Sequence, residues 1–125
     1  MKNIEIVGIV NAFAANKDSN MKLPAGVAWK RRLNMKALTE AKAVIDEALQ
    51  EIGKRYADDE HSVEGENGQR NVKPEYMADY AKETGEILVQ ETDVTIRKIK
   101  IEDIGDITLS DADMDTLAFM IEEGE

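Results

Sequence analysis

The chain has 125 residues with 26 Asp+Glu against 16 Lys+Arg, a formal charge of −10 that argues against broad nucleic-acid binding, which needs clustered cations in excess. Hydrophobic residues at 42% suffice for a single folded domain over 1–125, and the absence of cysteine excludes disulfides, thiolate metal sites and a thiol nucleophile.

Ile6, Ile9, Val10, Phe13 and Ala14 recur at steps of three and four, which predicts a short first helix with Asn3 as its N-cap. The alternation of Ile4 with Ile6 leaves a partial strand open over residues 3–16. The apolar run Ile9-Val10 then Ala12–Ala15 is broken by Asn11 and too short to cross a membrane, and no basic leader with a cleavage site precedes it. The expected location is therefore the cytoplasm, with no membrane partner. Asn16 to Pro24 reads as a connector through Asp18, Ser19, Asn20 and Leu23-Pro24.

From about Ala25 to Tyr56 the seam Leu38, Ala41, Ile45, Ala48, Ile52 predicts a long helix, widened by Leu33, Leu49 and Tyr56. Glu40, Asp46, Glu47, Glu51, Lys54 and Arg55 fall mainly on the other side. Residues 57–72 hold Asp58, Asp59, Glu60, Glu64 and Glu66 with little to bury, and read as a mobile acidic loop. Pro74 opens a second helix to about Thr92, with Tyr76, Tyr80, Thr84, Ile87 and Leu88 on one face, so that the two long helices form an antiparallel hairpin. Val94 to Ile101 alternates with a phase slip at Arg97-Lys98, which predicts one or two short strands with a bulge or turn. Ser110 caps a closing helix whose first turn is acidic and whose Met114, Leu117, Ala118 and Ile121 share a face. The fold class is α+β, mostly α.

Positive charge concentrates in Trp29-Lys30-Arg31-Arg32 followed by Lys36. Guanidinium groups clamp phosphate bidentately, free amides at a helix start favour anions and an indole offers a stacking face, so these residues are candidates for binding an anion or nucleotide. The competing reading packs Trp29 on Leu33 and leaves the bases to balance the acidic surface. Arg97, Lys98 and Lys100 form a second basic cluster that joins the first if its strand folds back on the hairpin. They equally suit an edge strand guarded against unwanted pairing. Asp111, Asp113, Asp115 and Glu122 imitate a calcium loop, but Thr116 stands where the loop needs glycine. His61 lies in the acidic loop, without the fixed geometry that acid–base chemistry needs. No phosphate-binding glycine loop, Gly-x-Ser-x-Gly elbow or His-Glu-x-x-His helix is present, so a non-enzyme without metal or cofactor is expected. Met21, Met35, Met77, Met114 and Met120 suit either a core or a partner surface. A hairpin seam longer than the remaining elements can cover favours a homo-oligomer.

The order of features resembles a family. It runs from an apolar first helix, through Leu23-Pro24 and the basic helix from Trp29 to Leu33-Asn34, to an acidic variable segment and Val94-Thr95-Ile96-Arg97-Lys98-Ile99. Leu109-Ser110 then opens a helix ending Phe119-Met120-Ile121-Glu122-Glu123. This is similar to small phage and prophage proteins of Gram-positive bacteria catalogued as a domain of unknown function. The resemblance implies a virus-encoded protein acting in the bacterial host cytoplasm or assembled into a virion. Two roles fit that context. One is a binder that counters a host defence, by sequestering a nucleotide-type signal or occupying a host protein. The other is an accessory virion or tail-assembly protein acting through its hairpin.

Overall fold

The computed structural model describes residues 1–16, 22–105 and 109–122; of the expected connector, residues 17–21, with Met21, lie outside the described residues, as does Glu123. The elements are α1 (Asn3–Ala15), α2 (Ala25–Arg55), β1 (Ser62–Glu64), β2 (Arg70–Val72), α3 (Pro74–Leu88) and α4 (Asp111–Leu117), with short 3-10 turns at Glu66–Gly68, Ile101–Ile104 and Ala118–Met120. Among the described residues the fold is mostly helical with one small two-stranded sheet. Among the described residues no helix is long and apolar enough to cross a membrane.

The 31 residues of α2 form the spine. Pro24 at its cap position fixes an extended entry, and Lys54 and Arg55 stand favourably at the negative end of the dipole. Val27, Asn34, Met35, Leu38, Ile45 and Ile52 form its buried stripe. Ile6 of α1 packs with Met35, Leu38 and Ile45, and Ile87 of α3 lies against the same cluster. α3 returns antiparallel to α2, since Tyr80 meets Tyr56 near the turn and Ile87 reaches the Ile45 level. A second cluster joins Val27 to Ile99, Ile104, Leu117 and Met120, and Ile96 and Phe119 pack against both clusters. Each fully buried Ile or Leu contributes about 2–3 kcal/mol. Met35 and Met120 serve as core, Met114 is half-buried and Met77 is exposed.

Two buried asparagines tie distant segments together. Asn34, fully buried, accepts the Arg97 amide on Oδ1 (2.8 Å) and donates from Nδ2 to the Arg97 carbonyl (3.0 Å). Asn3 donates to the Ile87 carbonyl (2.7 Å) and accepts the Thr92 hydroxyl (2.6 Å). Asn3 is thus not the cap of α1. Lys2 holds that position, because the Asn3 side chain is drawn into the α3 end instead of back to the helix amides.

The strand expected over residues 94–101 does not form. This stretch is extended, but its backbone is satisfied by Asn34 and by an isolated parallel bridge of Ile99 with Ile121, in which Ile99 N donates to Met120 O (2.8 Å) and Glu122 N to Ile99 O (2.7 Å). The sheet lies instead inside the segment expected to be a loop. β1 and β2 pair antiparallel with Ser62 opposite Val72 and Glu64 opposite Arg70. The turn is allowed by positive φ at Asn67 and Gly68. Polar bonds rather than apolar burial fasten it: Arg70 donates to the buried Ser62 hydroxyl (3.0 Å) and to Asp59 (2.9 Å). α3 ends at Leu88, short of Thr92, because residues 90–92 turn to pair with residues 1–3. Ser110 caps α4 as expected, its hydroxyl accepting from Asp113 N (3.1 Å). The switch to a 3-10 turn after Leu117 then buries Met120 and leaves Ala118 exposed.

Replacing Asn34 with Ala strands both Arg97 backbone groups and is expected to lower unfolding free energy by about 2–3 kcal/mol, against about 1 kcal/mol for Ser110→Ala, in urea titrations followed by circular dichroism.

Candidate functional site

The candidate basic residues come to lie on different faces of α2. Successive helical residues are set about 100° apart, so Arg31 turns toward α1, Lys30 toward the segment around Lys98, and Trp29 outward. Arg31 places its guanidinium 4.7 Å from the centre of the Phe13 ring. Its Nε is buried and makes no hydrogen bond. Burial pushes the Arg31 guanidinium down from its ordinary value, and the charge of Asp113 draws it partly back. A pocket of about 300 Å³ opens here, lined by Phe13, Ala28, Arg31, Arg32 and Met35. It joins two guanidinium-bearing residues to an apolar floor, the elements that hold an anion with an aromatic or aliphatic body.

The segment carrying Arg97 and Lys98 does fold back on α2, but its charges do not enter that pocket. Lys30 Nζ donates to Lys98 O (3.3 Å), Lys98 Nζ donates to Phe119 O (2.8 Å), and Arg97 is held through its backbone by Asn34. Lys30 lines a separate depression of about 310 Å³ with Val27, Ile99 and Asp103. Trp29 is 59% exposed and does not line the Arg31 pocket, so it is neither core nor a wall of that site. Lys36 is exposed one turn beyond Arg32.

A second polar constellation surrounds His61. The only histidine and all three tyrosines of the chain converge: His61 lies 4.6 Å from Tyr76 and 5.3 Å from Tyr56, whose ring is 5.3 Å from Tyr80. His61 Nδ1 is 2.6 Å from Asp58 Oδ1, which also accepts the His61 amide (3.0 Å), and these bonds hold the Asp58 carboxyl below its usual range. The pull of Glu83 on the phenolic proton, aided by desolvation, raises Tyr56 to about 12. Tyr56 in turn lowers Glu83, which also takes Arg55 at 2.9 Å. Asp58, Glu60 and His61 offer ligand atoms within 4.8 Å of one another, a set able to chelate a divalent cation, but both carboxylates are exposed and no further ligand converges among the described residues. The position of His61 follows from the β1–β2 hairpin, which returns Lys73 N to the His61 carbonyl (2.8 Å). The signal missed in the sequence is that the scarce aromatic residues flank the acidic segment on both sides.

A larger depression, about 510 Å³, lies near Tyr80 with Asp46 and Lys54 among its lining. Asp46 is already engaged by Lys42 at 2.6 Å. Among the described residues two buried side-chain atoms lack a partner, Arg31 Nε and Glu83 Oε2. The Arg31 pocket is the better candidate for an anion because its atom is a donor on a cation, whereas Glu83 offers an acceptor on a carboxylate.

The shifts around Tyr56 give a signed pH dependence. Folding raises this phenol, so its contribution is complete below pH 10 and is lost as pH rises through about 12. Asp58 and Glu83 are lowered, so theirs is present above 3.8 and 4.5 and is lost as pH falls through the lower folded values. An ultraviolet phenolate titration should show a step near 12 that disappears in Tyr56→Phe and moves down in Glu83→Gln.

Compared with protein-family models, curated proteins and solved structures, the chain matches none.

Proposed function

We propose that the protein is a non-enzymatic binder of a small nucleotide-type anion, held in the pocket between α1 and the first turns of α2. The observation that carries this reading is the buried Arg31 Nε without a hydrogen-bond partner, beside Arg32 and over Phe13. A buried donor of this kind is costly to leave unmade, and a phosphate oxygen satisfies it while gaining a charge-assisted bond. Phe13 and Met35 give the ligand's less polar part an apolar wall. Arg31 and Arg32 are the ligand-binding residues retained in this reading. Lys36 adds positive potential nearby, while Lys30, Arg97 and Lys98 have other tasks.

In the phage context implied by the sequence resemblance, such a binder acts in the host cytoplasm and counters a defence by lowering the free concentration of its nucleotide signal. The acidic overall charge fits this role, since it discourages binding to nucleic acid at large while the local pair of arginines still attracts a small anion.

Calorimetric titration with ADP, a cyclic dinucleotide and inorganic pyrophosphate tests the reading. At least one probe should bind, and Arg31→Gln should weaken it about 10- to 100-fold, the range expected for a lost hydrogen bond to a charged group. Thermal melts without ligand show whether that variant is folded. A folded wild-type chain that takes none of the probes, and instead co-purifies with phage particles, would replace this reading with the virion-assembly role.

A further inference from the structure

The apolar stripe from Leu38 to Ile52, from which self-association is expected in the sequence, is covered within the chain by α1 and α3. The uncovered face of α2 is a different one. α2 spans about 46 Å, and its outward seam runs Trp29, Leu33, Lys36, Glu40, Val44, Glu47, Glu51, at steps of three and four. Trp29 and Val44 are 59% and 67% exposed, and Leu33 is only half-buried.

Charge is divided along this seam. From Ala25 to Thr39 the helix carries Lys30, Arg31, Arg32 and Lys36 with no acid. From Glu40 to Glu51 the seam carries Glu40, Glu47 and Glu51 and no base, Lys54 coming only one step beyond, while Asp46, off the seam, is paired with Lys42. Among the described residues, Arg32, Lys36, Glu40, Glu47 and Glu51 form no ion pair within the chain. The basic start of the helix at Arg32 and Lys36 is therefore complemented by the Glu40–Glu51 stretch of the seam, and among the described residues neither is matched by an ion pair within the chain.

We propose that this face is a homodimer interface in which α2 packs antiparallel against α2 of a second copy. A two-fold axis at the level of Leu38 sets Lys36 beside Glu40 of the second copy, Arg32 beside its Val44, and Trp29 over the turn from Val44 to Glu47. Each pair occurs twice by symmetry. The antiparallel arrangement also opposes the helix dipoles, and it brings basic and acidic halves together where a parallel pair would place like against like. Arg31 and most of its pocket lie about a third of a turn away around the helix; Arg32, at the edge of both, is the one residue they share, so Lys36, Glu40 and Val44 report on the interface and Arg31 on the pocket.

Sedimentation equilibrium with light scattering tests the proposal on the whole chain. The wild type should reach twice the chain mass at low salt, with dissociation strengthened at least about tenfold on moving to high salt. Fluorescence of Trp29, the only tryptophan, should shift to the blue as the dimer forms. Lys36→Glu and Glu40→Lys should each give folded monomers by circular dichroism, and the double variant should regain the dimer. Val44→Arg should also give a monomer. Arg31→Gln should leave the dimer intact. A wild type that stays monomeric at low salt, or a dimer indifferent to Lys36→Glu and Val44→Arg, overturns the proposal. So does a double variant that fails to reassociate.

Discussion

The buried amide of Asn34 is the interaction on which the upper half of the molecule depends. An asparagine side chain offers a donor and an acceptor with the spacing of a peptide group, and here both are given to one residue, Arg97. The long helix thereby does what a neighbouring strand would otherwise do: it satisfies an extended segment that has no ladder of its own. Once Arg97 is fixed, Ile96 and Ile99 on either side enter the core, and Ile99 offers its backbone to the segment after α4. The apolar clusters then meet through Ile96 and Phe119. A fully satisfied polar pair in an apolar surrounding specifies one register, because a slip by a single residue would leave all its groups unpaired.

The same constraint organises the surface. With Asn34 and Val27 turned inward, the helix period carries Lys30, Arg31 and Trp29 to three different directions, although they are consecutive or nearly so in the chain. Lys30 and Lys98 are anchored on the carbonyls of Lys98 and Phe119. Arg31, by contrast, is pressed against Phe13 with part of its hydrogen-bonding capacity unused. Of the basic residues near the start of α2, Arg31 is thus the one whose burial is least comfortable.

The helices were legible because their signals are local. The Leu38–Ile52 periodicity, Pro74 at a first turn and Ser110 at a cap each act within a few residues. The extended stretch from Val94 to Ile101 was legible as extended but not as unpaired, since alternation reports which side chains face inward and is silent about where the backbone bonds go. The β1–β2 hairpin was hidden for the opposite reason. It buries almost nothing apolar and is held by Arg70, Ser62 and Asp59, whose pairing composition does not reveal. For the site, Arg31 and Arg32 could be named from type and position. Phe13 as their neighbour could not, because it comes from another helix, and the gathering of His61 with Tyr56, Tyr76 and Tyr80 required the hairpin to be known first.

The partners of Asn3 have a bearing on how the chain acquires its shape during synthesis. Its side chain bonds to residues 84 and 89 positions later, and Met1 and Lys2 pair with the same region. α1 leaves the ribosome before α2 and α3, yet the groups that anchor its beginning do not exist until residues 87–92 have been made. Until then its apolar residues can lie only against α2, without the polar clasp that fixes its orientation. α1 is therefore translated before α2 and α3 but fastened only after them, and synthesis halted before Thr92 would release a chain in which α1 has a surface to rest on but no clasp.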